Sequence, residues 1–203
     1  MRKFLASKSW LSSVGYAPNG RFIATGGSDS TVKIWNIEGG DLIGEFRTES
    51  AVLSIAISPD SKKILYGTST KAALIDLNGN SLVEYSGGGT WVNGVAFSPD
   101  GRWVATGGKE NSAKIWSING NLMQELAGHT QQLFSLQFSP NGKFLLTGAE
   151  DGKAIVWDVS GKLLKEIKGH NSWIRNVAFS PAGNLVATGS GDNTVILWEI
   201  SFK

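Results

Sequence analysis

The chain has 203 residues, 41% of them apolar and 18% charged, with a formal net charge of +2; this size suits one large all-β domain or a marginal pair of smaller ones. Lysines and arginines are scattered rather than clustered, which argues against a nucleic-acid binder, and no stretch approaches the ~20 apolar residues of a membrane span. Cysteine is absent, which excludes disulfides and thiolate chemistry and makes a reducing, cytoplasmic setting the expectation.

The first extended segment is Arg2-Lys3-Phe4-Leu5, with an apolar run far too short for a secretory signal. Five turns then follow at a fixed beat. The five prolines are Pro18, Pro59, Pro99, Pro140 and Pro181. Each opens a turn such as Pro18-Asn19-Gly20 or Pro99-Asp100-Gly101, where proline presets φ and Asn, Asp or Gly tolerates the left-handed position that follows. A second ladder keeps the same period: Trp35, Trp116, Trp157 and Trp198, with Ile75 in the second repeat. Two ladders at one period mark an internal repeat. The repeats run over 8–47, 48–86, 87–127, 128–168 and 169–203, in a single domain covering 1–203.

Within each repeat the pattern predicts four short strands. In the third they are Trp91–Phe97, Arg102–Thr106, Ala113–Ile118 and Leu122–Leu126, the last pair joined by the hairpin turn Asn119-Gly120-Asn121. The first strand is apolar on both faces, as a strand between neighbouring sheets must be. No segment shows sustained helical periodicity. The fifth repeat runs out at Phe202-Lys203 after three strands, while Arg2–Leu5 aligns with Lys165–Lys168. Strand counting therefore predicts that residues 2–6 complete the last blade, or exchange between chains to do so in a homo-oligomer.

At this point the sequence resembles the WD40 repeat family over essentially its whole length. The match rests on Gly128-His129, Gly169-His170, the Pro-Asn-Gly turns, the Thr-Gly pairs, the c-strand tryptophans and one complete Trp157-Asp158. The resemblance implies an all-β propeller of five blades, each a four-stranded antiparallel sheet. It also implies a buried His–Ser/Thr–Asp–Trp tetrad in each blade. The fourth blade carries His129, Thr147, Asp151 and Trp157, and the fifth His170, Thr188, Asp192 and Trp198. The first keeps Thr25, Asp29 and Trp35, with Ser7 in place of histidine. The third keeps Thr106 and Trp116, with Glu110 and Gly88 in the other two places, and the second lacks the set. On that ground blades 4 and 5 are expected to be stiffer and blade 2 the most easily opened.

The only two histidines thus fall at equivalent tetrad places, which favours staples over metal ligands or a general base. Their carboxylate partners repeat one structural position instead of converging as a glycosidase pair must. There is no phosphate-binding loop and no nucleophile elbow; Gly87-Gly88-Gly89 is a worn Gly-His turn. No enzyme activity, cofactor or metal is expected. In the family, the entry to strand a lies on the top face near the channel rim. Trp10, Trp91 and Trp173 occupy this place, with Ala51 and Gln132 in the other repeats. Two residues further stand Ser12, Leu53, Asn93, Phe134 and Arg175, and Ser28, Lys109, Glu150 and Gly191 precede the tetrad acid. Trp and Arg are enriched in binding hot spots, so these positions are binding candidates, although tryptophan is also a packing choice at a blade edge. The implied function is a non-catalytic scaffold for other proteins or peptides. A propeller that binds small ligands or glycans, or a fragment of a larger WD40 assembly, is the alternative.

Overall fold

The computed structural model describes residues 7, 9–85 and 90–201. Five antiparallel sheets follow one another along the chain. Blade 1 comprises β1 (Leu11–Tyr16), β2 (Phe22–Gly27), β3 (Thr31–Asn36) and β4 (Leu42–Arg47). Blade 2 comprises β5 (Val52–Ile57), β6 (Lys63–Thr68), β7 (Ala72–Asp76) and β8 (Ser81–Tyr85). Blade 3 comprises β9 (Gly94–Phe97), β10 (Trp103–Gly107), β11 (Ser112–Ser117) and β12 (Leu122–Ala127). Blade 4 comprises β13 (Leu133–Phe138), β14 (Phe144–Ala149), β15 (Lys153–Asp158) and β16 (Leu163–Lys168). Blade 5 comprises β17 (Ile174–Phe179), β18 (Leu185–Ser190) and β19 (Val195–Glu199).

The chemistry of each strand follows its place. The second and third strands of blades 1 to 4 are almost wholly buried, because sheets cover both their faces. The fourth strands alternate exposed and covered residues at the outer edge. The proline turns hold Gly20, Gly101, Gly142 and Gly183 at φ between 69° and 74°, which glycine adopts without strain. The third blade differs from its predicted strands at its start: only Gly94–Phe97 is extended. Trp91 lies at φ 57°, so the chain turns there before it can pair.

Successive first strands pack side by side, from β1 through β5, β9 and β13 to β17. Between blades the junction is built the same way four times. Val52, Leu133 and Ile174 open the first strands of blades 2, 4 and 5, Val92 stands two residues ahead of that of blade 3, and all four are buried. Ile55, Val95, Leu136 and Val177 lie three residues on and are buried too. They press on the preceding blade at Gly26, Gly67, Gly107 and Gly148, where any Cβ would run into them. These contacts form four continuous apolar cores, one per junction. Burying each such side chain contributes about 1.5–3 kcal/mol, so each junction is a substantial source of stability.

The two ends of the array are not covered in this way. The counterparts in blade 1, Leu11, Val14 and Tyr16, are 50%, 66% and 64% exposed. On the far face of blade 5, Val195 and Leu197 are 72% and 68% exposed, whereas Val32, Ala72, Ala113 and Ala154, which match Val195, are at most 1%. The closing strand expected over residues 2–6 lies outside the described residues, and blade 5 has three described strands. The rotation from blade to blade is set by how side chains fill each junction, and strand number does not carry it.

Candidate functional site: the open cavity and the blade staples

The tetrads form as the repeat implies. In blade 4, Trp157 Nε1–H donates to Thr147 Oγ1 at 2.9 Å, and Thr147 meets His129 Nε2 at 2.8 Å. His129 Nδ1 lies 3.0 Å from Asp151 Oδ2. One proton arrangement satisfies every partner: Trp157 donates to the hydroxyl, the hydroxyl to Nε2, and Nδ1–H to the carboxylate. That arrangement requires a neutral imidazole. Burial pushes His129 below the ordinary histidine value despite the opposing pull of Asp151. Burial works against the Asp151 carboxylate, but the Thr130 backbone N–H, the nearby His129 and further donors outweigh it and hold its pKa below the usual range. Blade 5 repeats the set, with Trp198 to Thr188 at 2.9 Å, His170 to Thr188 at 2.8 Å and His170 to Asp192 at 2.9 Å. Hydrogen bonding from Thr194, above all, depresses the Asp192 pKa.

Blades 1 and 3 keep half of the staple and replace the rest. Trp35 donates to Thr25 at 3.0 Å and Trp116 to Thr106 at 2.9 Å. In place of histidine, Ser7 donates to Asp29 at 2.7 Å. A lysine pairs with the acid in both: Lys33 Nζ lies 2.9 Å from Asp29, and Lys114 Nζ 2.7 Å from Glu110. Burial would raise the Asp29 pKa, but hydrogen bonds from Lys33, Ser7 and Thr31 outweigh it and bring it to about 2. Blades 4 and 5 have isoleucines, Ile155 and Ile196, where these lysines stand. The compensation escaped sequence reasoning, which followed the tetrad positions alone. The i,i+4 spacing of Asp29 with Lys33 and of Glu110 with Lys114 was its available signal. Gly88 lies outside the described residues, as does the whole Gly87-Gly88-Gly89 turn.

The binding candidates divide into two groups. Ser12, Leu53, Asn93, Phe134 and Arg175, one from each blade, all line one open cavity of about 690 Å³ together with Trp10. In four blades a register irregularity brings them there. The ladder slips between Leu11 and Ser13, Val52 and Ser54, Leu133 and Ser135, and Ile174 and Asn176. The residue skipped each time is Ser12, Leu53, Phe134 or Arg175. A bulge releases one residue from the ladder and re-aims its side chain. In blade 3 the ladder begins only at Gly94, so Asn93 lies just ahead of it. The Arg175 guanidinium sits 4.9 Å from the Phe134 ring centre, a cation–π pair between blades 4 and 5. Asn93 Nδ2–H donates to the Leu133 carbonyl at 3.0 Å, tying blade 3 to blade 4.

The remaining candidates sit elsewhere. Trp10, Trp91 and Trp173 are all exposed, but only Trp10 reaches the cavity. The Trp173 ring lies so close over Gly191 that no Cβ would fit there. Gln132 Nε2–H donates to Glu150 at 2.9 Å, so those two engage each other. Lys109 is exposed on its turn. Sequence reasoning missed two serines of the cavity wall: Ser13 Oγ accepts from the Ile55 N–H at 2.9 Å, and Ser54 Oγ donates to the Val92 carbonyl at 2.9 Å. They lace neighbouring first strands together beneath the variable positions. Among the described residues no group of three His, Cys, Asp or Glu side chains could hold a metal ion, and no helix is long and apolar enough to cross a membrane.

The family model described as "WD domain, G-beta repeat" matches residues 1–36, 79–117, 120–158 and 161–199. The gap at 37–78 covers most of blade 2, which lacks the staple. Similar proteins include the target of rapamycin complex subunit LST8 of Bos taurus, 34% identical over 46% of this chain and 30% of its own length. The target of rapamycin complex subunit wat1 of Schizosaccharomyces pombe is 29% identical over 51% of this chain and 35% of its own. The WD repeat-containing protein SL1-17 of Schistosoma mansoni is 30% identical over 50% and 35%. The match spans about a third of the length of these relatives.

Proposed function

This chain belongs to the WD40 repeat family, and from that premise we propose that it is a non-catalytic scaffold which holds a protein or peptide at the mouth of its channel. The observation carrying this reading is the convergence of Ser12, Leu53, Asn93, Phe134 and Arg175 on one cavity. The blade frame repeats, while these five positions all differ in chemistry or size. A constant frame with variable side chains at one rim is the arrangement of a recognition surface. Phe134, Arg175 and the exposed Trp10 supply anchors of the types that dominate binding energy. Two relatives are named as subunits of a complex, which supports a role in assembly. The tetrad carboxylates are each engaged within their own blade, which supports a role without catalysis. A cytoplasmic partner fits a chain without cysteine.

Peptides selected from a displayed library on the intact chain would test this. Binders should lose at least tenfold in affinity on Arg175→Ala and on Trp10→Ala, about 1.4 kcal/mol or more. They should be indifferent to Met123→Ala on the outer strand β12. Binders that tolerate both rim variants and fail on the outer one would overturn the assignment. Recovery of sugars on a glycan array, with no peptide binder, would replace a protein partner by a glycan.

A further inference from the structure

We propose that the open face of blade 5 is shaped to receive the open face of blade 1 from a second copy of this chain, head to tail. Leu11 and Val14 of the blade 1 face also border the cavity, but the inference does not rest on what that cavity binds. Its ground is that this junction already exists four times inside the molecule, and the two end faces are its unmatched halves.

On the receiving side, Gly189 stands in line with Gly26, Gly67, Gly107 and Gly148. Each of those four lies against a buried side chain of the next blade, whereas a Cβ at Gly189 would meet nothing within 4 Å. Around it stand Val195 and Leu197, whose counterparts Val32 with Ile34, Ala72 with Leu74, and Ala113 with Ile115 are buried to 2% or less. On the inserting side, Leu11, Val14 and Tyr16 repeat the apolar series that fills each internal junction, and they are exposed. The proline turns agree. Gly101, Gly142 and Gly183 rest on Pro59, Pro99 and Pro140 of the preceding blades, while Gly20 has nothing within 4 Å. Its partner in that series would be Pro181. Leaving two complementary apolar faces in water is unfavourable. A surface that complements a different surface of the same molecule makes a heterologous, head-to-tail contact.

Absolute mass by light scattering, measured across a dilution series, tests this with two variants, Val14→Lys and Leu197→Lys. Both residues are exposed, so neither change disturbs the fold of one chain, and melting curves check that. The wild type is expected at a multiple of 21.7 kDa, and each variant alone at a single chain mass. Mixed, the two variants should form a dimer, because each retains the face the other has lost. A wild type that stays at 21.7 kDa at every concentration would overturn the proposal, as would a mixture that stays monomeric. In the monomeric case Gly189→Val separates the reasons. A lowered melting temperature would mean that the chain closes on itself, and an unchanged one that the faces stay open; either result contradicts docking of a second copy.

Discussion

Blades 2 and 5 are stabilised by opposite means. Blade 5 holds a complete polar staple, yet Val195 and Leu197 on its far face are exposed and Trp198 is only half buried. Blade 2 has no staple, with Tyr66 and Ile75 in its place, yet Leu65, Ala72, Leu74 and Tyr85 are all buried to 1% or less. It lies between two neighbours, and Tyr85 packs at a tilt against Trp116 of blade 3 with ring centres 5.8 Å apart. The difference teaches that position in the array governs burial independently of the motif. Ranking the blades by their tetrads alone puts blade 2 last; ranking them by covered surface puts an end blade last.

The sharpest way to break this comparison is a matched pair of truncations. Leu74→Ala in β7 should cost about 2–5 kcal/mol, as a large-to-small change in a packed core does. Leu197→Ala, the same register place in β19, should change stability by less than about 0.5 kcal/mol, measured by urea unfolding dilute enough to hold the chain monomeric. Equal losses would show that the blade 5 face is covered in solution. The staples offer a second pair. Thr147→Val keeps the volume but strands the Trp157 N–H and His129 Nε2, and should cost about 2–5 kcal/mol, since each buried unpaired group costs ~1–3 kcal/mol. Thr188→Val in the half-open blade 5 should cost less, because water can reach the edge of its tryptophan.

Hydrogen exchange sharpens the comparison without mutation. Amides of β19 should exchange faster than those of β7, since local opening follows exposed surface. The reverse order would restore the ranking by tetrads. A smaller effect comes from pH. His129 has its pKa lowered on folding, so between its unfolded value near 6.5 and its lower folded value the unfolded chain takes up a proton that the folded chain refuses. Stability is therefore complete above pH ~6.5 and declines as the pH falls below it. The urea midpoint should drop between pH 7.5 and 5.5 and drop less in His129→Gln, compared within each variant. Asp29 acts further into acid: with its folded pKa at about 2, below the unfolded ~3.9, its contribution is present above that range and lost as the pH falls through it.

Much of this molecule was legible in the chain itself. The proline and tryptophan ladders fixed the number of repeats, because each repeat is one structural unit with the same turn and the same packing residue. The tetrads of blades 4 and 5 could be assigned residue by residue, since buried donors and acceptors must be paired and only a few side chains can do it. The two-residue offset from Trp10, Trp91 and Trp173 also marked the positions that line the cavity, though not why they do. What only the tertiary structure decided depends on neighbours remote in sequence. The bulges that release Phe134 and Arg175, the lysines that pair with the acids of blades 1 and 3, and the early left-handed turn at Trp91 are set by how the strands meet. So are the two uncovered end faces: Leu11 and Leu133 read alike in sequence, and only the presence of a preceding blade makes one buried and leaves the other exposed.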